Sequence, residues 1–129
     1  MSTQRRIIST ENAPAAVGPY SQAVRIKDLV YTAGQIPLDP ATGSMVSGPI
    51  EVQTRQVLKN LSAVLEAADS SLDRVVKMTV FMIDLGEFQQ MNAVYAEFFP
   101  NTPPARSAVE VSALPLGAMI EMEAVAVCG

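Results

Sequence analysis

"VVKMTVFMI", residues 75–83, is the stretch whose reading decides the fold. It is rich in β-branched and large apolar residues, which favour a strand. Successive strand side chains point to opposite faces, so Val76, Met78, Val80 and Met82 fall on one side and Val75, Phe81 and Ile83 on the other. Both parities are apolar. A strand of this kind needs cover on both faces.

The flanking segments supply cover for one face. From Ile50 the period becomes helical: Val57, Leu58, Leu61, Val64, Leu65 and Ala68 recur at i, i+1, i+4, i+7, i+8 and i+11. Pro49 marks the start of this helix and Asp69-Ser70-Ser71 its end. After the decisive strand, Asp84 suits an N-cap, and Glu87 three residues on completes a capping-box pattern. In the helix that follows, Phe88, Met91, Tyr95 and Phe98 line one face.

Residues 20–36, YSQAVRIKDLVYTAGQI, read as two short strands turning at Lys27-Asp28. PLDPATGSMVSGP, residues 37–49, is a Pro- and Gly-rich loop with room for one short strand. Two more strands are predicted near 106–112 and 118–127. The order is strands, helix, strand, helix, strands, an α+β domain of about six strands with two helices on one face of a mixed sheet. No repeat or linker divides residues 1–129, so one domain is expected.

Two helices leave the other face bare, yet the last strand is also apolar on both parities, with Ile120, Ala124 and Ala126 opposing Met119, Val125 and Val127. Exposed apolar surface costs about 25 cal/mol per Å². Burial against further copies of the chain is the expected remedy. The order of that assembly does not follow from the pattern.

Composition narrows the function. The chain has 129 residues, 49% of them hydrophobic, a formal charge of −4, no histidine and one cysteine, Cys128. No basic cluster exists beyond Arg5-Arg6, against nucleic-acid binding. Disulfide frameworks, Cys/His zinc sites and histidine-based triads are excluded. The N-terminal residues lack a secretory apolar core, and no stretch approaches the roughly 20 apolar residues of a membrane span. A soluble, cytoplasmic protein is expected.

A few polar positions stand out. Arg106 follows Pro103-Pro104-Ala105, a stiffened approach that would preorganise a guanidinium for a carboxylate. The plainer reading is a half-exposed strand arginine paired with a surface acid. Glu121 and Glu123 share a parity with Val125 and Val127; such a pair is either a solvated stretch or a carboxylate at a pocket edge. Burial would raise the pKa of such a carboxylate and a nearby arginine would lower it. Tyr20 fills a core rim or orients a substrate. Asn92, one turn from Phe88, is a boundary residue or an amide reaching a pocket. Gly34, in TAGQ, ends a strand where a backbone could approach a ligand closely.

Five stretches carry a family resemblance: ENAPAAVGPYSQAV, VYTAGQIPLDPATG, QTRQVLKNLSAVLEAA, VVKMTVFMIDLGEFQQMNAVYAEFF and PPARSAVEVSALPLGAMIEMEAVAV. Together they resemble the RidA/YjgF family of reactive-intermediate deaminases, from about Ser9 to Val127. The resemblance implies a fold like that of chorismate mutase of the bacillus type, assembled as a homotrimer with sheets inward, helices outward and ligand clefts between subunits. It implies hydrolysis of 2-iminobutanoate and 2-iminopropanoate, or their enamine tautomers, to 2-keto acids and ammonia. These substrates arise from pyridoxal-phosphate dehydratases acting on threonine or serine, which makes the role one of metabolite damage control. No cofactor or metal is implied.

Matched position by position, the resemblance makes Arg106 the carboxylate-binding residue, Glu121 the glutamate near the attacking water and Tyr20 the site tyrosine. Gly34 falls in the substrate-contacting turn, Asn92 matches the family pattern loosely, and Glu123 reads as structural. Many members have cysteine where this chain has Ala108; alanine keeps the backbone carbonyl that could hold a water, but not the thiol. A binding module or holdase is the alternative to a deaminase, with a ribonuclease or translation inhibitor third.

Overall fold

The computed structural model describes residues 4–129. Its strands are β1 (Arg6–Ile8), β2 (Ala23–Ile26), β3 (Leu29–Thr32), β4 (Val75–Met82), β5 (Ala105–Glu110) and β6 (Ile120–Val127); its helices are α1 (Ile50–Ala67) and α2 (Phe88–Phe98). They form one six-stranded sheet in the order β1-β2-β3-β6-β4-β5. Only β4 and β5 pair in parallel; β6 runs antiparallel to both β3 and β4. The last strand thus wedges between two strands laid down before it. The mixed α+β architecture is the one expected.

Both helices cover the same face. Val57, Leu58, Leu61, Val64 and Leu65 of α1 are fully buried against Val30, Met78, Val80, Met82, Ile120, Met122 and Ala126. Each such side chain contributes about 1.5–3 kcal/mol of burial. Helix α2 adds Met91, Val94 and Tyr95. It is joined to α1 by Arg55, which pairs with Glu97 at 3.0 Å and lies over Phe98. Buried amides stitch the loops down: Asn60 Nδ2 donates to the carbonyls of Ile36 and Leu38, and Gln53 Oε1 accepts from the Met119 amide.

The opposite face is uncovered in this chain. Lys77, Thr79 and Phe81 of β4 lie there in register with Val125, Glu123 and Glu121 of β6, and Tyr31 follows across from Val125. Tyr31 is 47% exposed and Val109 42%. The open face is therefore mixed: Phe81, Val125, Tyr31 and Val109 share it with Lys77, Thr79, Glu121 and Glu123, so only part of the apolar excess foreseen for β4 and β6 sits there.

Three local expectations are corrected. Val76 does not share the face of Met78: Val75 pairs with Ala126 and Lys77 with Val125, so a bulge at Val76 shifts the alternation. Val75 is buried as a result, and Val76 is 47% exposed. The short strand allowed for in loop 37–49 is a single bridge, Leu38 to Met45; the sixth strand is β1 instead, too short and too basic to show a period. Finally, Asp84 caps a short 3-10 turn, Leu85–Glu87, by accepting from the Gly86 amide. Helix α2 begins one turn later with no side-chain cap, so the Asp84–Glu87 capping box does not form.

Candidate functional site

Arg106 is the second residue of β5, in register with Met78, which turns its side chain toward the helix layer. There it meets three residues of α2 spaced i, i+4, i+7, one stripe of a helix. Its Nη1 donates to Asn92 Oδ1 at 2.8 Å. Its guanidinium carbon stands 4.6 Å from the Tyr95 ring centroid and 5.3 Å from that of Phe88. The two ion pairs among the described residues are Arg25–Asp69 and Arg55–Glu97. Arg106 therefore has no acidic partner; ring quadrupoles and one neutral amide hold it. A fixed, half-buried cation of this kind is suited to an anionic ligand.

Tyr95 is 5% exposed, and burial pushes its phenol upward against the opposing charge of Arg106. The guanidinium lies over the ring, and the buried hydroxyl, though close enough to Arg106 for its charge to act on it, makes no hydrogen bond of ordinary geometry among the described residues.

A second cluster forms around β6. Gln35 and Met122 exchange backbone hydrogen bonds at 2.8 and 3.1 Å, Thr32 Oγ1 accepts from the Ala124 amide, and the Gln22 carbonyl accepts from Ala33. These contacts press the extended segment at Gly34 onto Glu121. A Cβ at residue 34 would collide with the Glu121 carboxylate, so only glycine admits this packing. The carboxylate is half-buried and accepts no hydrogen bond from the described residues. Burial raises its pKa above the ordinary glutamate value, and the neighbouring charge of Glu123 raises it further.

The expected site residues thus fall into two groups. Arg106, Asn92 and Ala108 lie on the helix side of β5 and on α2. Gly34 and Glu121 lie together, with Glu121 opposite Phe81 on the uncovered face. Tyr20 is two residues from Gln22, whose carbonyl accepts from the Ala33 amide; the Tyr20 hydroxyl accepts from the Val17 amide at 3.3 Å, and its side chain leaves the residue 52% exposed. Glu123 is exposed beside Thr79 on the open face. Arg106 and Glu121 are on opposite faces of the sheet, two strands apart, and do not meet within one chain. The surface acid that the plain reading of Arg106 called for is absent. Phe88 and Tyr95 were legible in sequence only as apolar helix positions; their spacing around Asn92 was the available signal.

Comparison with known proteins gives the family. The model of the Endoribonuclease L-PSP family matches residues 10–128. A RutC family protein of Pyrococcus horikoshii is 54% identical over 122 residues, covering 95% of this chain and 97% of its own. The 2-iminobutanoate/2-iminopropanoate deaminase of Homo sapiens is 46% identical over 125 residues, covering 97% of this chain and 91% of its own. The crystal structure of a putative endoribonuclease from Thermotoga maritima superposes with a TM-score of 0.94 at 49% identity, covering 96% of this chain and 98% of that one. The chain belongs to the Endoribonuclease L-PSP family, the RidA/YjgF family of the sequence resemblance. A deaminase activity of the reactive-intermediate type is supported by relatives that carry that name.

Proposed function

We propose that this chain is a cofactor-independent hydrolase that converts 2-iminobutanoate and 2-iminopropanoate to 2-keto acids and ammonia, working as a homotrimer with its sites between subunits. The observation that carries this reading is the division of the polar groups. An arginine without an acid lies on one side of the sheet, and a carboxylate with a raised pKa lies on the other. Two copies can join these halves where one chain cannot. The apolar residues left on the open face, Tyr31, Phe81, Val109 and Val125, give the copies a reason to associate.

In this mechanism Arg106 fixes the substrate carboxylate and holds the C=N carbon beside a water. The imine is protonated and already electrophilic. Glu121 of the adjoining copy takes a proton from the water as its oxygen bonds to carbon and the C=N π pair moves to nitrogen. The same carboxyl returns that proton to the nitrogen of the carbinolamine. The C–N bond breaks, the hydroxyl proton is surrendered to Glu121, and the excess proton leaves with ammonia as ammonium. A raised pKa suits a group that must both take and give a proton near neutrality. Gly34 provides a backbone wall beside the carboxylate, and Tyr20 is assigned to the site through the family resemblance. A deaminase is preferred over a nuclease because the chain has no histidine and a charge of −4.

The test is a coupled assay in which a threonine dehydratase generates 2-iminobutanoate and semicarbazide competes for it. The wild-type protein suppresses semicarbazone formation and Arg106→Ala does not. Equal semicarbazone yield with and without the wild-type protein overturns the assignment.

A further inference from the structure

Helix α2 packs its apolar face against the core, yet one stripe of it is spent on a single cation. Phe88, Asn92 and Tyr95 all contact Arg106. Residues seven apart on a helix are separated by about 10.5 Å along its axis. A guanidinium carbon 5.3 Å from the first ring and 4.6 Å from the second lies in the gap between them. The shorter Asn92 opens that gap and closes its floor with a hydrogen bond. One of the five N–H donors is used by Asn92, and it sits on Nη1. The Nε–Nη2 edge has no partner among the described residues.

We propose that the Phe88–Asn92–Tyr95 stripe is a positioning clamp that presents Arg106 edge-on, so that a ligand carboxylate engages its Nε–Nη2 fork. This rests on Arg106 being the carboxylate-binding group of the proposed site. Three consequences follow from the geometry. The clamp holds a flat, delocalised cation, so lysine does not replace Arg106: its ammonium can sit where the guanidinium carbon does, but as a point charge it offers a carboxylate no planar fork. Phe88 and Tyr95 act through Arg106 and need not touch the substrate. The Tyr95 ring face carries the main contact; its hydroxyl makes no hydrogen bond of ordinary geometry among the described residues and feels Arg106 through its charge.

The test compares Tyr95→Phe, which keeps the ring, with Tyr95→Leu, which keeps the burial and removes it; Asn92→Ala removes the hydrogen bond. The first readout is the ¹⁵N order parameter of Arg106 Nε in the protein without ligand. It stays high in the wild type and Tyr95→Phe and falls in Tyr95→Leu and Asn92→Ala. The second is imine hydrolysis. Tyr95→Leu raises KM about 2- to 30-fold, from a cation–π contact of roughly 0.5–2 kcal/mol, with a much smaller change in kcat, while Tyr95→Phe stays near wild type. Wild-type mobility of Arg106 in Tyr95→Leu overturns the clamp. A mobile Arg106 with an unchanged KM overturns its part in carboxylate recognition. A wild type that hydrolyses no imine refutes the proposed function instead, and the order parameters still decide the clamp.

Discussion

At the scale of single residues, Glu121 and Gly34 act as one unit. Glu121→Gln keeps the shape of the side chain and removes the proton acceptor, so kcat should fall by about 10²–10⁴ with KM nearly unchanged. A binding module would keep its affinity in this variant and would have no rate to lose, which separates the two readings. The same variant reports on the raised pKa. Because the folded carboxyl holds its proton more tightly than the unfolded one, its contribution to stability is fully present below the ordinary glutamate value and is lost as pH rises through the raised one. Wild type should therefore gain stability relative to Glu121→Gln as the solution is acidified from neutrality through that window, measured as urea midpoints across pH. Gly34→Ala drives a methyl group into the Glu121 carboxylate, which sits at the end of a flexible side chain and can swing away. The cost in stability should be about 0.5–1.5 kcal/mol of off-rotamer strain, with a much larger loss of rate. Parallel melting curves and kinetics check the contrast.

At the scale of elements, the site depends on loops that the helices hold in place. Asn60 of α1 binds two carbonyls of the segment after Gly34, and its side chain is almost wholly buried. Asn60→Ala strands those carbonyls and should cost roughly 1–3 kcal/mol in denaturant unfolding. Helix α2 was readable as an amphipathic helix from its apolar spacing, and its start was misjudged for a physical reason. Asp84 does cap a backbone amide, but that of Gly86 in a 3-10 turn, because Asp84 and Glu87 have the residue types of a capping box whichever turn they close. The β4 bulge was illegible for a similar reason. Both Val75 and Val76 are apolar, so no polarity step in the sequence marks where the alternation shifts.

At the scale of the whole molecule, the division of the site across the sheet predicts complementation. Arg106→Ala and Glu121→Gln should each be nearly inactive alone. Refolded together at equal amounts, they should recover about a quarter of the wild-type rate, because random mixing leaves that share of interfaces with both groups intact. No recovery in mixed assemblies confirmed by mass would place both groups in one chain's site and overturn the shared cleft. A charge on the open face, Val125→Lys, should shift the protein toward folded monomers by light scattering and abolish turnover with the fold retained.

The alternation of β6, the helical stripe of α1 and the two-sided apolar character of β4 were determined by the sequence alone, because each is a short-range pattern that burial must respect. These were enough for the α+β class, the helices on one face and the need for something to cover the other. The polar residues carried no such period. Arg106 and Glu121 were each ambiguous in sequence, and their family resemblance named them without saying how they relate. Only the tertiary structure decided that Arg106 has two rings and an amide for partners in place of an acid, and that Gly34 exists to admit the Glu121 carboxylate. It also set the two groups on opposite faces of the sheet. The reason is that β6 returns to pair between β3 and β4, a long-range register choice that fixes which side chains meet and leaves no trace in local sequence.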